Sequence, residues 1–511
     1  MRKWLKVFIT WGILYSVAVI IVIVTAGLLG LNLLWTFLAI ELVSFIMSLW
    51  VFYSDRRDEV RLSWIVFLIF FPIIGPSSYF FWGRKYKNNK KFQDYEIKIQ
   101  KRVLEKYGVD QKSLIKELDN NISYNMFRQA NNLNRLISKG NDISVMTSGP
   151  ETMVNILNAI REAKETIYLD YYILENGELF DNLMILLEEA LKRKVRVYLL
   201  YDYVGSLHRF DNSKLKKIIK NGAVVYKYGY FFMPWFSKKA NFRNHRKNVV
   251  VDGRIAFLGG VNIGDLFTDQ STKIGIYKDA TIKIYGPAVL NMEVSFAKDI
   301  FKASNGNLDL IEKEKRLFSN YENKNKNKDI MTMIDDQPST GSKKSKHIDM
   351  LISLISSARK RVWLTTPYLL LPAELKISLI NAVKSGLDVR IIIPGLNDKS
   401  SMLDLSRADC SNLFAEGIKI YELNNCFIHS KLGIYDDVVT IGTTNLDYRS
   451  FFSDEQSLAF IQSTNIAQHF SDVFEDYFDS STQWKKDILL YKSFFYRKIF
   501  LKLFSILLPI L

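Results

Sequence analysis

Residues 241–265 read NFRNHRKNVVVDGRIAFLGGVNIGD, and residues 429–445 read HSKLGIYDDVVTIGTTN. Both follow one pattern: His-x-Lys, four residues, Asp, then a Gly-started turn carrying an Asn. The first copy supplies His245, Lys247, Asp252, Gly259, Gly260 and Asn262. The second supplies His429, Lys431, Asp436, Gly442, Thr443 and Asn445. The two histidines lie 184 positions apart (429 − 245), in a 511-residue chain with only five histidines. Such a repeat restricts the fold to two copies of one unit, with a site assembled from both.

The surroundings repeat as well. In the first half, periodicity predicts a helix over 151–164, a strand over 166–173, a helix over 178–193 and a strand over 195–201. In the second half it predicts helices over 347–359 and 373–385 and strands over 361–366 and 388–394. The strand cores IYLDYYI, VRVYLLY, VWLTT and VRIIIP are nearly continuous apolar runs, which suits sheets covered on both faces by helices. The expected fold class is therefore α/β: a duplicated unit, each copy a mixed sheet flanked by helices, forming one pseudo-two-fold catalytic domain. Unit 1 is placed at 141–302 and unit 2 at 329–491. A polar linker over 303–328 ends in NKNKNKD.

The first 83 residues have a different character. Val7 to Leu29 is a charge-free run of 23 residues, long enough to cross a bilayer as a helix. It is too long for a typical cleaved signal core and a second run follows at once, so it reads as retained. The second run, Leu31 to Tyr53, is interrupted only by Glu41. Arg2, Lys3 and Lys6 precede the first run, and Arg56, Arg57 and Arg61 follow the second, which places both ends of the pair in the cytoplasm. A third run, Leu62 to Gly83, is broken by Pro72, Gly75 and Pro76 and followed by a basic cluster from Arg84 to Lys91. A hairpin that enters the bilayer and returns accommodates both facts. Residues 1–83 are thus expected to be a membrane anchor and 84–140 a basic, helical spacer. The tail, 492–511, is apolar, aromatic and basic without an acidic residue, which suits a segment lying on anionic lipid. The net charge of +16 favours anionic partners. Cys410 and Cys426 fit no disulfide or metal pattern and read as reduced thiols.

On a strand, side chains two apart share a face. His245 would therefore project with Lys247, and His429 with Lys431. Bringing the halves together gathers two imidazoles and two ammoniums, with Asn262 and Asn445 as amide donors and Gly259, Gly260, Gly442 and Thr443 in turns that approach a ligand closely. This array suits an anion with several oxygens. One imidazole can attack phosphorus while the other gives and takes a proton, and the lysines can stabilise charge on non-bridging oxygens. The motif has no carboxylate cluster or Cys/His ligand set, so neither metal nor cofactor is expected. Asp252 and Asp436 are positioned either to orient the His and Lys groups or to build a turn. His208, His347 and His469 lack the pattern and read as ordinary histidines.

Paired His-x-Lys-x4-Asp motifs resemble those of the phospholipase D superfamily. The phrases DRRDEVRLSW, PIIGPSSYFFWGRK, YKDATIKIYGPAV, TTPYLLLP and IGTTNLDYRSFFSDE extend the resemblance to bacterial cardiolipin synthases over nearly the whole chain. The resemblance implies His245, Lys247 and Asp252 as one half of a catalytic site and His429, Lys431 and Asp436 as the other, with Asn262 and Asn445 at the family's Asn positions. It implies His245 as nucleophile and His429 as acid/base, although the two copies are nearly symmetric. Glu455 matches an acidic position and is expected to support the site from behind. Thr443 stands where Ser often follows the Gly and keeps a hydroxyl. The implied reaction moves a phosphatidyl group from one phosphatidylglycerol to another, giving cardiolipin and glycerol in a bacterial cell membrane. A hydrolase, a transferase with another acceptor alcohol, a phosphodiesterase on nucleic acid and a non-catalytic membrane scaffold are the competing readings. The membrane segments weigh against nucleic acid, and the two complete motifs against a scaffold.

Overall fold

The computed structural model describes residues 2–83, 90–107, 111–119, 121–230, 242–268, 275–313, 328–336, 345–396, 398 and 400–485. The chain divides into two units, one holding the described residues up to 83 and the other those from 90 onward.

In the N-terminal unit, helix Arg2–Leu28 is followed by helix Leu33–Phe52, whose Asn32 side chain accepts from the Leu34 and Trp35 amides. Among the described residues, Leu33–Phe52 is the helix long and apolar enough to cross a membrane, and Tyr15–Leu28 is a shorter apolar stretch. The third apolar run breaks where its prolines predict. Helix Asp58–Phe70 stops before Pro72, and a short helix, Gly75–Ser78, leads into one π-turn, Tyr79–Gly83. Asp58–Phe70 packs on Leu33–Phe52, where the Ser44 hydroxyl donates to the Leu68 carbonyl at 2.7 Å.

The larger unit is built on strands numbered here in chain order. The first half contains β1 (Ile137–Lys139), β2 (Asp142–Met146), β3 (Thr166–Tyr171), β4 (Arg196–Asp202), β5 (Val224–Tyr228), β6 (Arg243–Asn244), β7 (Lys247–Val251), β8 (Ile255–Gly259), β9 (Ile276–Lys278) and β10 (Thr281–Tyr285). The second half contains β11 (Ile330–Asp336), β12 (Arg361–Thr365), β13 (Leu369–Leu370), β14 (Asp388–Pro394), β15 (Lys419–Leu423), β16 (Cys426–Ile428), β17 (Leu432–Tyr435), β18 (Val438–Gly442), β19 (Leu446–Asp447), β20 (Asp454–Gln462) and β21 (Ser481–Gln483). One sheet runs β2-β10-β8-β7-β3-β4-β5. The other runs β1-β11-β20-β18-β17-β12-β14-β15-β21. Both are mixed: β3–β4 and β12–β14 are parallel, while β3–β7 and β12–β17 are antiparallel. The duplicated α/β architecture is therefore present.

The apolar strands sort their residues by alternation. Ile167, Leu169 and Tyr171 of β3 pack with helices Gly149–Glu162 and Glu178–Lys192, whereas Tyr168 faces the core shared by both halves. In β12, Val362 and Leu364 likewise face helices Lys346–Ser357 and Ala373–Lys384, and Trp363 turns to the shared core. Helices in that shared layer include Val289–Ala303, where Phe296 stacks on Tyr168 at 4.9 Å, and Thr464–Asp479, where Phe474 meets Trp363 at 5.9 Å.

Two expectations need correction. The stretch expected to be a helical spacer, 84–140, includes residues that pack into the larger unit. Phe92, Tyr95, Ile99 and Val103 of helix Lys90–Tyr107 are buried in the shared core, and Tyr95 stacks on Phe301 at 3.8 Å. β1 then pairs with β11 in the second sheet. The polar appearance of this segment reflects a helix apolar on one face only. The stretch after 302 is also partly core, since Leu308, Leu310 and Ile311 are buried. Residues 314–327 and the tail 492–511 lie outside the described residues.

Candidate active site

The chain leading into each motif histidine pairs with a strand of the other half. β6 pairs in parallel with the start of β20, with Arg243 opposite Asp454 and Asn244 opposite Glu455. The next amide, His245 N–H, donates to the Glu455 carbonyl at 3.0 Å. β16 pairs with β9 in the same sense, Ile428 opposite Lys278, and His429 N–H donates to the Lys278 carbonyl at 2.7 Å. The extended chain is interrupted at His245–Arg246: β6 pairs with the other half, and β7 returns to its own sheet. This crossing brings the two motifs to one place.

The four basic groups converge there. Lys247 Nζ donates to the His245 carbonyl at 2.6 Å, and Lys431 Nζ donates to the His429 carbonyl. The Tyr172 ring lies 4.7 Å from the His245 ring and 5.1 Å from Lys247 Nζ; Tyr277 lies 5.0 Å from the His429 ring. Lys247, His429 and Lys431 are buried. Burial, and then Lys247, Lys431 and His429, push the His245 imidazole well below its ordinary range. Burial and Lys431 lower His429 to about 4, against the opposing pull of Asp279. Lys247 falls well below the usual ammonium range through burial and Lys431, and burial lowers Lys431 to about 8. Four mutually repelling cationic sites in a low-dielectric setting are complementary to an anion, which would reverse each of these effects.

The remaining sequence-derived residues divide between site and scaffold. Asn262 accepts the Ile173 amide at 3.2 Å, fixing the chain just after β3. Asn445 is buried and its amide bonds Asp447. Gly259 and Gly442 are close-approach positions, because a Cβ at 259 would crowd Ala280 and Thr281 and one at 442 the Ser457 carbonyl. A Cβ at Gly260 would run into the Asp279 carboxylate. The Thr443 hydroxyl donates to Gln456 Oε1 at 2.7 Å.

Asp252 and Asp436 do not orient the His and Lys groups. Each sits at the far end of its strand, about 16 Å along the chain from its motif lysine at roughly 3.3 Å per residue. Asp252 accepts the Lys164, Glu165 and Thr166 amides at 2.9, 2.7 and 2.9 Å. Asp436 accepts the Arg359, Lys360 and Arg361 amides at 2.8, 3.0 and 2.9 Å. Both have left-handed backbone, φ 54° and 53°. They are turn staples joining a strand to the preceding helix–strand corner.

Glu455 is buried, but its carboxylate points into a charged cluster rather than at an imidazole. It meets Lys302, the Tyr228 hydroxyl and, at 3.1 Å, Arg246. Arg246, fully buried, also pairs with Asp299 and bonds Ser457 Oγ at 3.0 Å. Lys302 and Arg246 hold the Glu455 carboxyl at about 2 against the cost of burial.

Sequence reasoning missed the groups that do face the imidazoles. His429 Nδ1 lies 2.7 Å from Asp279 Oδ2, and His245 Nδ1 lies 3.2 Å from Gln456 Oε1 and 3.3 Å from the Thr443 carbonyl. Their signal was positional: each immediately follows the residue whose carbonyl holds the motif histidine. Among the described residues no group of three His, Cys, Asp or Glu is arranged to hold a metal. His347 is core, its Nε2 2.8 Å from the Ile334 carbonyl, and both cysteines are buried.

With this geometry in place, comparison with known proteins is direct. A family model described as "Cardiolipin synthase, PLD-like domain" matches residues 156–299 and 351–478, and one described as "Phospholipase_D-nuclease N-terminal" matches 33–84. A cardiolipin synthase of Alkalihalophilus pseudofirmus is 30% identical over 454 residues, covering 88% of each chain. Cardiolipin synthase 2 of Bacillus cereus is 29% identical over 480 residues, covering 92% of this chain and 90% of that one. The crystal structure of phosphatidylserine synthase from Haemophilus influenzae matches with a TM-score of 0.59 and 15% identity, over 76% of this chain and all of that one, a likeness of fold.

Proposed function

Because this chain belongs to the cardiolipin synthase family of phospholipase D-like proteins, we propose that it is a membrane-bound cardiolipin synthase that joins two phosphatidylglycerol molecules. The observation that carries this reading is the convergence of His245, Lys247, His429 and Lys431 from both repeats, each motif main chain hydrogen-bonded into the other half.

In the first half-reaction the Nε2 of one imidazole attacks phosphorus. A P–N bond forms, the P–O bond to glycerol breaks, and the leaving oxygen takes a proton from the other imidazolium. In the second, that imidazole accepts the proton of a hydroxyl on a second phosphatidylglycerol, whose oxygen attacks phosphorus as the P–N bond breaks. Lys247 and Lys431 stabilise charge on the non-bridging oxygens. Asn262, Asn445, Gly259, Gly260, Gly442 and Thr443 shape the rim, and Asp252, Asp436 and Glu455 hold the scaffold.

The lipid substrate is matched by the anchor. We assign residues 1–83 two spans, 7–29 and 31–53, and a re-entrant segment, 62–83, with the catalytic unit on the cytoplasmic face of a bacterial membrane. The apolar helix Leu33–Phe52, the break at Pro72 and the flanking Arg56, Arg57 and Arg61 support this topology. The two repeats, 141–302 and 329–491, form the catalytic body.

Purified protein incubated with phosphatidylglycerol is expected to yield cardiolipin and glycerol in equal amounts. Phosphatidic acid as the sole lipid product would replace this reading with hydrolysis. His245→Ala and His429→Ala are each expected to abolish turnover of phosphatidylglycerol; full activity in either removes the two-imidazole mechanism.

A further inference from the structure

The two imidazoles are held at equivalent positions by different chemistry. Asp279 follows Lys278, whose carbonyl accepts His429 N–H, and Gln456 follows Glu455, whose carbonyl accepts His245 N–H. One histidine therefore has a carboxylate at Nδ1 and the other a neutral amide. We infer that Gln456 is a positioning residue that commits His245 to nucleophilic attack by holding its Nδ1–H without adding charge, while Asp279 commits His429 to proton transfer. The inference rests on the phosphatidyl-transfer reading above and divides its two histidine roles.

The hydrogen-bond network fixes the tautomer of His245. Thr443 Oγ1 accepts the Ser457 amide at 3.0 Å, and of the two acceptors in reach of its own proton Gln456 Oε1, at 2.7 Å, is nearer than the Ser457 carbonyl at 3.4 Å. That orients the Gln456 amide with its oxygen toward His245. The other neighbour of His245 Nδ1, the Thr443 carbonyl, can only accept. Nδ1 therefore carries the hydrogen and Nε2 presents its lone pair. A neutral acceptor adds no charge to stabilise an imidazolium, so once phosphorus is bound to Nε2 the imidazole stays a good leaving group for the second half-reaction. At His429 the Asp279 carboxylate stabilises imidazolium, the form needed to protonate the departing glycerol.

The turn residues agree with this division. Gly260 and Thr443 occupy matching places in the two copies, two residues before Asn262 and Asn445. Gly260 leaves room for the Asp279 carboxylate, whereas Thr443 supplies the hydroxyl that orients Gln456. Each turn residue fits its own partner. The groups facing His245 are Gln456, Lys247, Lys431, His429 and Tyr172; those facing His429 are Asp279, Lys431, Lys247 and Tyr277. The lysines act on both imidazoles, so the Nδ1 partners are what differ.

The test uses full-length protein and the 32P-labelled p-nitrophenyl ester of phosphatidic acid, whose leaving group needs no protonation. His429→Ala is expected to release a burst of nitrophenolate and retain label on the peptide containing His245, while His245→Ala does neither. Label on His429 in His245→Ala overturns the assignment. Gln456→Glu is expected to move the acidic limb of kcat/KM upward by about one pH unit and to lengthen the life of the adduct about tenfold. An unmoved limb removes the role given to Gln456. Asp279→Asn, which keeps the size of the side chain, is expected to retain the nitrophenolate burst and lose at least tenfold in kcat on phosphatidylglycerol. Equal loss on both substrates counts against proton transfer by His429. Wild type that takes label but makes no cardiolipin contradicts the acceptor in the proposed function and leaves the division of roles standing. Wild type that neither releases nitrophenolate nor takes label overturns both.

Discussion

Replacing Asp252 separates a structural motif residue from a chemical one. Its Oδ1 accepts two amides, from Glu165 and Thr166, and its Oδ2 accepts a third, from Lys164. At a partly exposed corner each bond counts for about 1 kcal/mol, the mean for an intramolecular hydrogen bond. Alanine removes all three and must also hold φ near 54°, a left-handed conformation costing about 1 kcal/mol. Asp252→Ala should therefore cost about 4 kcal/mol. Asp252→Asn keeps both Oδ1 bonds but opposes an NH2 group to the Lys164 amide, and should cost about 1–2 kcal/mol. Thermal unfolding of the full-length protein, followed by tryptophan fluorescence, should rank wild type above Asn above Ala. Asp436→Asn and Asp436→Ala should repeat the series. At a temperature where Asp252→Asn is folded, its kcat should lie within about threefold of wild type. An Asp252→Asn protein with wild-type stability and a hundredfold loss of kcat would refute the reasoning and return the aspartate to the chemistry.

The buried cluster around Arg246 sets an acid dependence. Glu455 is held at about 2, below its ordinary range, so its contribution to stability is full above about pH 4.5 and is lost as pH falls toward 2. The stability gap between wild type and Glu455→Gln, read from melting temperatures across that window, should be largest at neutral pH and shrink on acidification. Gly260→Ala pushes a methyl group against the Asp279 carboxylate. It should lower kcat on phosphatidylglycerol at least tenfold while sparing the nitrophenyl ester, as a comparison of the two substrates will show.

The duplication was legible because apolar alternation and a repeated polar phrase are both local signals. Thr166–Tyr171 and Asp388–Pro394 are strands that any chain with those runs would form, given helices on both sides. What sequence could not locate were effects of pairing across 150 or more positions. The parallel registers of β6 on β20 and β9 on β16 bring Asp279 and Gln456 to the imidazoles, although neither stands near a motif histidine in the chain. Glu455 illustrates the same limit: one position along an extended strand reverses the side of the backbone a residue serves. The helix Lys90–Tyr107 was mistaken for a spacer because its core contacts occupy one face, and its charged residues dominate the composition.

The exchanged strands have a consequence for how such a site can diversify. In a symmetric pair of identical chains, every change is written twice, and both imidazoles must carry the same Nδ1 partner. Once the two copies share a chain, one half can keep a carboxylate while the other takes an amide, and each turn can adapt to its own neighbour. Covalent fusion thus turns a two-fold axis from a constraint into a reference against which the halves specialise. The crossing of β6 and β16 keeps them from drifting apart while they do so, since each histidine's main-chain amide is held by a carbonyl of the other half.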